Sequence, residues 1–242
     1  MEAKTALITG GGSGVGLALA GKLLERGWRV VACGRDPRKL ERAVRQHPKL
    51  ETVRCDLTDA GDLTRLLEGF SRLHLLVNNA AVQLELDFVN GEARDVLERA
   101  ALEWETNFSA SVRLTTLALP LLKRSGGTVL NVTSGLALDP KKSAPIYCAS
   151  KAALHSFSRA LRYQLEGAGS GVRLLEAMLP LVDTPMTAGR AEGQKISAGQ
   201  VAQEIVRALE RGQGEVRVGR VKLFVWLHRL LPAVSARLLR DG

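Results

Sequence analysis

Short, nearly continuous apolar runs alternate with longer stretches of mixed polarity along this chain. The runs fall at residues 5–9 (TALIT), 29–33 (RVVAC), 51–55 (ETVRC), 73–78 (LHLLVN), 127–134 (GTVLNVTS) and 172–179 (VRLLEAML). A strand with one wet face would alternate apolar and polar residues. These runs do not, so they predict strands covered on both faces, as in a parallel sheet. Between them the periodicity predicts helices near 14–26, 37–46, 59–71, 103–124 and 145–166. Strand–helix repetition implies an α/β architecture: a single doubly wound domain over residues 1–242, with helices on both faces of the sheet and right-handed crossovers. No Pro- or Ser-rich linker and no internal repeat divides it.

Toward the C-terminus the pattern loosens. Residues 188–197 (AGRAEGQKIS) are small and aperiodic and predict a mobile loop; 181–197 as a whole reads as a substrate loop. A helix resumes over 198–212, and a last short strand near 214–219 brings the mostly parallel sheet to seven strands. The ending, about 220–240, is basic and amphipathic, rich in Leu and Arg and interrupted by Pro232. It either packs on the domain or a second subunit, or it lies on a membrane surface or roofs a substrate pocket. The pattern leaves these open.

The balance of 34 Lys and Arg against 25 Asp and Glu gives a net charge of +9, which invites an anionic partner. The basic residues are spread along the predicted helices, with almost no aromatic residues among them to stack bases. No nucleic acid is therefore expected. Cys33, Cys55 and Cys148 are odd in number and far apart, so neither a disulfide framework nor a metal site is expected. The N-terminal residues lack a signal-peptide pattern, and no uncharged apolar run reaches the ~20 residues that span a bilayer. A soluble, cytoplasmic protein is expected.

Residues 9–16 (TGGGSGVG) directly follow the first strand and open the first helix, the context in which a glycine pattern signals a dinucleotide. Gly10 suits a tight turn, Gly14 lets backbone approach a pyrophosphate, and Gly16 permits close packing. Helix N-terminal amides supply the anion site. At the end of the second strand, Asp36 precedes Pro37 and reads as a helix N-cap, which turns its carboxylate toward helix amides. Arg35 is then free to meet the 2′-phosphate of NADP, which is favoured, with NAD as the alternative.

Tyr147 and Lys151 stand at i and i+4 on one predicted helix and share a face. A nearby ammonium lowers a phenol's pKa and makes tyrosine a usable general acid/base. Ser134, thirteen residues before Tyr147, ends a predicted parallel strand, where open α/β sheets place their ligands. Leu136, Leu138, Met178, Leu181 and Met186 suggest walls for a moderately apolar substrate.

With TGGGSGVG, CDLTD (55–59), NNAA (78–81), Asn107 in ETNFSAS, Ser134 and YCASK (147–151), the chain resembles the short-chain dehydrogenase/reductase family over nearly its whole length. Residues 78–83, 134–157 and the ending resemble a bacterial subgroup named for an association with D-alanine transfer to lipoteichoic acid. The resemblance implies a Rossmann-type fold. It implies that Tyr147 is the proton donor/acceptor, Lys151 lowers its pKa and binds the nicotinamide ribose, Ser134 orients the carbonyl, and Asn107 holds a water in the proton relay. It places Ser13 and Val15 of the glycine loop, Asp56 and Leu57 beside adenine, Asn79 and Ala80, Pro180, Val182 and Thr184 at the cofactor. Ala81 and Leu181 replace glycines usual in the family, near the expected nicotinamide. The function implied is NADP-dependent hydride transfer on a small-molecule carbonyl/alcohol pair by a homodimer or homotetramer. The alternative is a catalytically silent dinucleotide-sensing or binding protein of the same fold.

Overall fold

Within each apolar run, successive side chains serve opposite layers. In strand β1 (Thr5–Thr9), Ala6 and Ile8 enter one core while Leu7 enters the other. The computed structural model describes residues 3–190 and 195–240. After β1 the chain runs through α1 (Gly14–Leu24), β2 (Arg29–Gly34), α2 (Pro37–Gln46), β3 (Glu51–Arg54), α3 (Ala60–Glu68), β4 (Leu75–Asn78), α4 (Ala93–Trp104) and α5 (Ala110–Lys123). It continues through β5 (Thr128–Ser134), α6 (Pro145–Gly167), β6 (Arg173–Leu179), β7 (Val182–Asp183), β8 (Ile196–Ser197), α7 (Ala198–Glu210), β9 (Glu215–Arg217), α8 (Val221–Leu230) and α9 (Pro232–Arg240).

Seven strands form one sheet in the order β3-β2-β1-β4-β5-β6-β9, every pair parallel. α1 and α7 cover one face through Leu19, Leu23, Val201 and Ile205. α3, α5 and α6 cover the other through Leu63, Leu114, Leu122 and Leu161. Each fully buried leucine contributes about 1.5–3 kcal/mol, so the two cores fix the sheet's position between the layers. The winding reverses between β1 and β4, which leaves a crevice at the C-terminal ends of the strands.

A polar thread crosses the second core. The Asn78 amide donates to Thr115 Oγ1 (2.9 Å) and to Asn131 Oδ1 (2.8 Å), and the Asn131 amide donates to Ser158 Oγ (2.8 Å). Asn78 and Asn131 are register partners on β4 and β5, so the thread fixes α5 and α6 against the strand ends that bear the site.

The structure differs from the pattern in four places. The run at 51–55 is not covered on both faces: as β3 it ends the sheet, with Glu51, Val53 and Arg54 exposed. The helix expected over 103–124 starts ten residues earlier and is interrupted by a π-turn at Glu105–Ser109, because its first turns carry little apolar periodicity. Part of the expected loose segment is ordered: β7 and β8 pair as a small second sheet, Val182 with Ile196. The rest of the mobile-loop expectation, residues 191–194, lies outside the described residues. The basic ending forms two helices parted at Pro232, and among the described residues no helix is long and apolar enough to cross a membrane.

The glycine loop sets the tightest steric constraint. Gly10 has φ +64°, and a Cβ on Gly16 would stand 2.6 Å from both the Asn79 amide nitrogen and the Gly10 carbonyl oxygen. Gly16→Ala is expected to destabilise the fold by about 1–3 kcal/mol in urea unfolding. Gly167→Ala, where a Cβ meets nothing within 4 Å, is expected to be neutral or stabilising.

Candidate active site

Loops from the C-terminal strand ends surround a cleft of about 1170 Å³. At one end lies the glycine loop. Thr9 Oγ1 accepts the backbone N–H groups of Asn79 and Ala80 (both 3.0 Å) and donates to the Val77 carbonyl (3.1 Å). The Asn79 amide in turn donates to the Thr9 carbonyl (2.9 Å) and the Gly10 carbonyl (3.3 Å). These bonds hold the loop after β1 against the loop after β4. Ser13, the N-cap of α1, makes no side-chain cap bond, so the amides that follow it point free at the cleft. Gly14 adopts φ +55° opposite Thr184. An uncapped helix start lined by glycine backbone fits the pyrophosphate of a dinucleotide.

Asp36 caps α2 as expected: its carboxylate accepts from the backbone N–H of Arg38 (2.9 Å) and of Lys39 (3.4 Å). Arg35 and Lys39 are exposed and line the same end of the cleft, giving it a cationic rim. Asp56 and Leu57 lie beside them. Backbone N–H donation from Thr58 holds the Asp56 carboxyl below the usual carboxylate range.

At the other end stand Ser134, Tyr147 and Lys151. Ser134 ends β5 and lines the cleft with Tyr147, and its hydroxyl accepts from Leu136 N–H (3.2 Å). α6 starts with Pro145 at its first position, which places Tyr147 one helical turn before Lys151. The Lys151 ammonium donates to the Val132 carbonyl (2.9 Å) and lies 5.7 Å from the Tyr147 ring centroid. Asn107 sits in the π-turn, fully buried. Its amide exchanges bonds with Val82 (2.8 and 2.9 Å) and donates to Ser150 Oγ (3.2 Å). The π-turn thus aims Asn107 at the loop after β4 and at α6 together, a use π-turns often have near functional sites.

The expected lowering of the Tyr147 pKa does not occur in this cavity. Burial pushes the phenol up to about 12, with the Ser134 hydroxyl opposing, and burial lowers Lys151 to about 8. Desolvation disfavours both charges, and the lysine's bond to Val132 directs its ammonium at a carbonyl rather than at the phenol.

Among the sequence-predicted residues, Gly10, Ser13, Gly14, Val15, Arg35, Asp56, Leu57, Asn79, Ala80, Ser134, Tyr147, Lys151, Pro180, Val182 and Thr184 all border the cleft. Gly16 and Asn107 stand behind its lining. Leu181 lines the cleft, and its carbonyl accepts from Ile196 N–H (3.2 Å), joining β7 to β8; Ala81 lines it as well. Leu136 and Met186 also form walls. Met178 and Leu138 do not: they pack against Val221 and Val225 of α8, because the tail covers that end of β6.

Several residues at the site escaped the sequence reading. Lys141, Ser143, Gln83, Glu85 and Arg190 line the end near Tyr147. Glu103, fully buried, accepts from Leu84 N–H (3.0 Å), and burial raises its carboxyl pKa. The Cys33 and Cys55 thiols, remote in sequence, enter one core because β2 and β3 are adjacent. The tail packs on the domain through Val221 and Val225 against Met178 and also lines the cleft through Arg220, Val221, Phe224, Leu238 and Leu239, so two of the readings left open for it hold together.

Comparison with known proteins agrees with this arrangement. A sequence profile described as short chain dehydrogenase matches residues 4–195. The chain is 39% identical over 232 residues to the uncharacterized oxidoreductase DltE of Bacillus subtilis strain 168, covering 92% of this chain and 90% of that one. It is 29% identical to an uncharacterized oxidoreductase of Staphylococcus epidermidis, covering 86% and 92%. A short chain dehydrogenase from Burkholderia cenocepacia, solved in complex with NADP, superposes with TM-score 0.86 at 29% identity and 98% coverage of both chains. A Burkholderia phymatum short chain dehydrogenase/reductase solved with NAD shares the fold, with TM-score 0.85 at 24% identity, covering 99% and 96%. This chain belongs to the short chain dehydrogenase family.

Proposed function

We propose that the protein is an NADP-dependent oxidoreductase that interconverts a small-molecule carbonyl and its alcohol, with Tyr147 as general acid/base. The observation that carries this reading is the meeting of Ser134, Tyr147 and Lys151 in one cleft with an uncapped, glycine-lined helix start. A nicotinamide dinucleotide bound in the cleft supplies or accepts the hydride. The amides of α1 with Gly10, Ser13, Gly14, Val15 and Gly16 hold its pyrophosphate. Asp56 and Leu57 flank its adenine and Asn79 its adenosine ribose, Ala80 lies beside them, and Pro180, Val182 and Thr184 border its nicotinamide half.

Ser134 orients the substrate carbonyl, and Tyr147 moves the proton at the carbonyl oxygen. Lys151 anchors the ribose and supplies positive charge beneath the phenol. Asn107 is assigned a positioning role, since its amide is engaged by Val82 and Ser150. A phenol at about 12 stays protonated near neutrality, which favours carbonyl reduction. Arg35 at the β2 end, free of the capping duty that Asp36 performs, supports NADP over NAD.

Exposed Leu97, Leu102, Trp104 and Leu117 on α4 and α5 support a homo-oligomer. Exposed Leu223, Trp226, Leu230 and Leu231 beside Lys222 and Arg229 support contact of α8 with an anionic membrane surface. Light scattering is expected to give at least a dimer of the 26.1 kDa chain, and sedimentation with anionic vesicles to pellet it. A monomer overturns the first part and an unpelleted protein the second.

Tyr147→Phe is expected to lower carbonyl reduction by about 10²–10⁴-fold while NADPH still binds, read by nicotinamide fluorescence. Unchanged turnover, or binding with no wild-type turnover across a carbonyl panel, would favour a dinucleotide sensor. The wild-type reduction rate is expected to be flat below neutrality and to fall as pH rises through about 8, where Lys151 loses its proton. Arg35→Asp is expected to raise KM for NADPH by about tenfold or more without raising that for NADH. An equal effect on both cofactors would count against the 2′-phosphate role.

A further inference from the structure

One charged side chain at the Tyr147 end has no task in the chemistry above. Lys141 is only 9% exposed, lines the cleft, and pairs with no carboxylate among the described residues. After burial, the Arg190 guanidinium is the main influence depressing its pKa, and the smaller pull of Glu85 and Cys148 opposes it. Arg190 also acts on the Tyr147 phenol, so the two cations and the phenol share one end of the cavity. Glu85, the carboxylate nearest Arg190 at 4.0 Å, is largely exposed.

The position is built. Lys141 backbone N–H donates to Cys148 Sγ (3.4 Å), and its carbonyl accepts from Ala144 N–H (3.4 Å). On one side of it, buried Asp139 is bonded to His228 Nδ1 of α8 (3.0 Å). On the other, Lys142 N–H donates to the Arg240 carbonyl of α9 (2.9 Å), and the Ser143 carbonyl accepts from Leu86 N–H (3.2 Å). Across the cleft, Arg190 is held by a hydrogen bond to Gln83 Oε1. Two helices and two loops thus hold a largely buried lysine that forms no ion pair among the described residues and stands beside a second cation. A buried ammonium without a partner is unfavourable, so a ligand that neutralises it gains the strength of a charge-assisted bond in low dielectric.

On the reading of the cleft as a carbonyl-reducing site, we propose that its substrate carries an anionic group, carboxylate or phosphate, and that Lys141 is the counter-ion, flanked by Arg190. The apolar walls Leu136, Leu181 and Met186 take the uncharged body of the molecule, and Tyr147 meets its carbonyl. Lys141 acts on binding and orientation and moves no proton.

The test uses three aldehydes of one shape: 4-carboxybenzaldehyde, 4-formylphenyl phosphate and methyl 4-formylbenzoate. Calorimetric titration of the full chain, with and without NADP⁺, reads binding where no hydride is available. At least one charged aldehyde is expected to bind about tenfold or more tightly than the neutral ester, and the stronger of the two names the anion. Lys141→Met is expected to erase that preference while leaving the ester's affinity in place, and Lys141→Arg to retain part of it. In NADPH turnover the Lys141→Met loss is expected in KM rather than kcat. Its thermal midpoint is expected to equal or exceed wild type, because an unpaired buried charge is removed. Equal binding of ester and anions overturns the proposal. So does failure of both anions to bind, an equal loss for all three probes in Lys141→Met, or a lowered midpoint with the preference intact. Charge preference without NADPH consumption on any probe counts against the oxidoreductase reading alone. Consumption indifferent to charge counts against this proposal alone.

Discussion

The Thr9 hydroxyl and the Asn79 amide hold together the two strands between which the sheet reverses its winding. Thr9 Oγ1 accepts two backbone N–H groups from the β4 loop and donates back to the end of β4, while Asn79 returns a side-chain amide to the glycine loop. The Thr9 hydroxyl uses its donor and both acceptor positions inside the protein, which is what a buried hydroxyl requires. With β1 and β4 fixed this way, the start of α1 can only approach Asn79 as closely as a glycine allows. The cofactor end of the cleft is therefore a consequence of strand packing, and its shape does not depend on the surface loops that vary around it.

The Tyr147 end follows a different rule, because it is governed by desolvation. Lys151 is held by a carbonyl rather than a carboxylate, and Tyr147 is influenced by a hydroxyl, so neither charge is compensated by an opposite one. Both groups move toward their neutral forms. His155, a turn further along α6, shows the contrast. Its ring bonds the buried Glu176 carboxylate at 2.8 Å, and that partner raises its pKa. The stability from this pair is full below the ordinary histidine value and is lost as pH rises through the raised one. The same helix therefore carries a compensated charge where structure is needed and uncompensated groups where a ligand enters.

The sheet was legible because its five inner strands are covered on both faces and leave near-continuous apolar runs, and parallel order follows from the helices between them. The glycine loop, Arg35 with its capping neighbour Asp36, and the Ser134, Tyr147 and Lys151 set were legible because local spacing and strand-end position carry their chemistry. The π-turn was not. It depends on one residue too many between α4 and α5, a tertiary accommodation that brings Asn107 to Val82 and Ser150 from 25 and 43 positions away. Nor was the neighbourhood of Cys33 and Cys55, which needs strand register. The phenol's upward shift was missed because i, i+4 spacing reveals proximity of Lys151 and says nothing of burial or of the carbonyl that holds its ammonium.

Recognition of the substrate depends on the segments with the weakest sequence signal, and the reason is physical. The loop around Lys141 has no periodicity of its own. It is held by contacts to α8 and α9 about ninety residues later, through His228 and Arg240. Those helices carry an amphipathic pattern that any surface helix could show, yet Phe224, Leu238 and Leu239 close the cleft above the same loop. One tail thus both shapes the apolar wall and fixes the cation within it. A change in the tail would move wall and charge together, while the β5 end bearing Ser134 and the helix α6 bearing Tyr147 and Lys151 remain anchored by the buried Asn78–Asn131–Ser158 thread. On the proposed function, chemistry and specificity are supported by separate parts of the fold, the first by β5 and α6 and the second by the C-terminal helices.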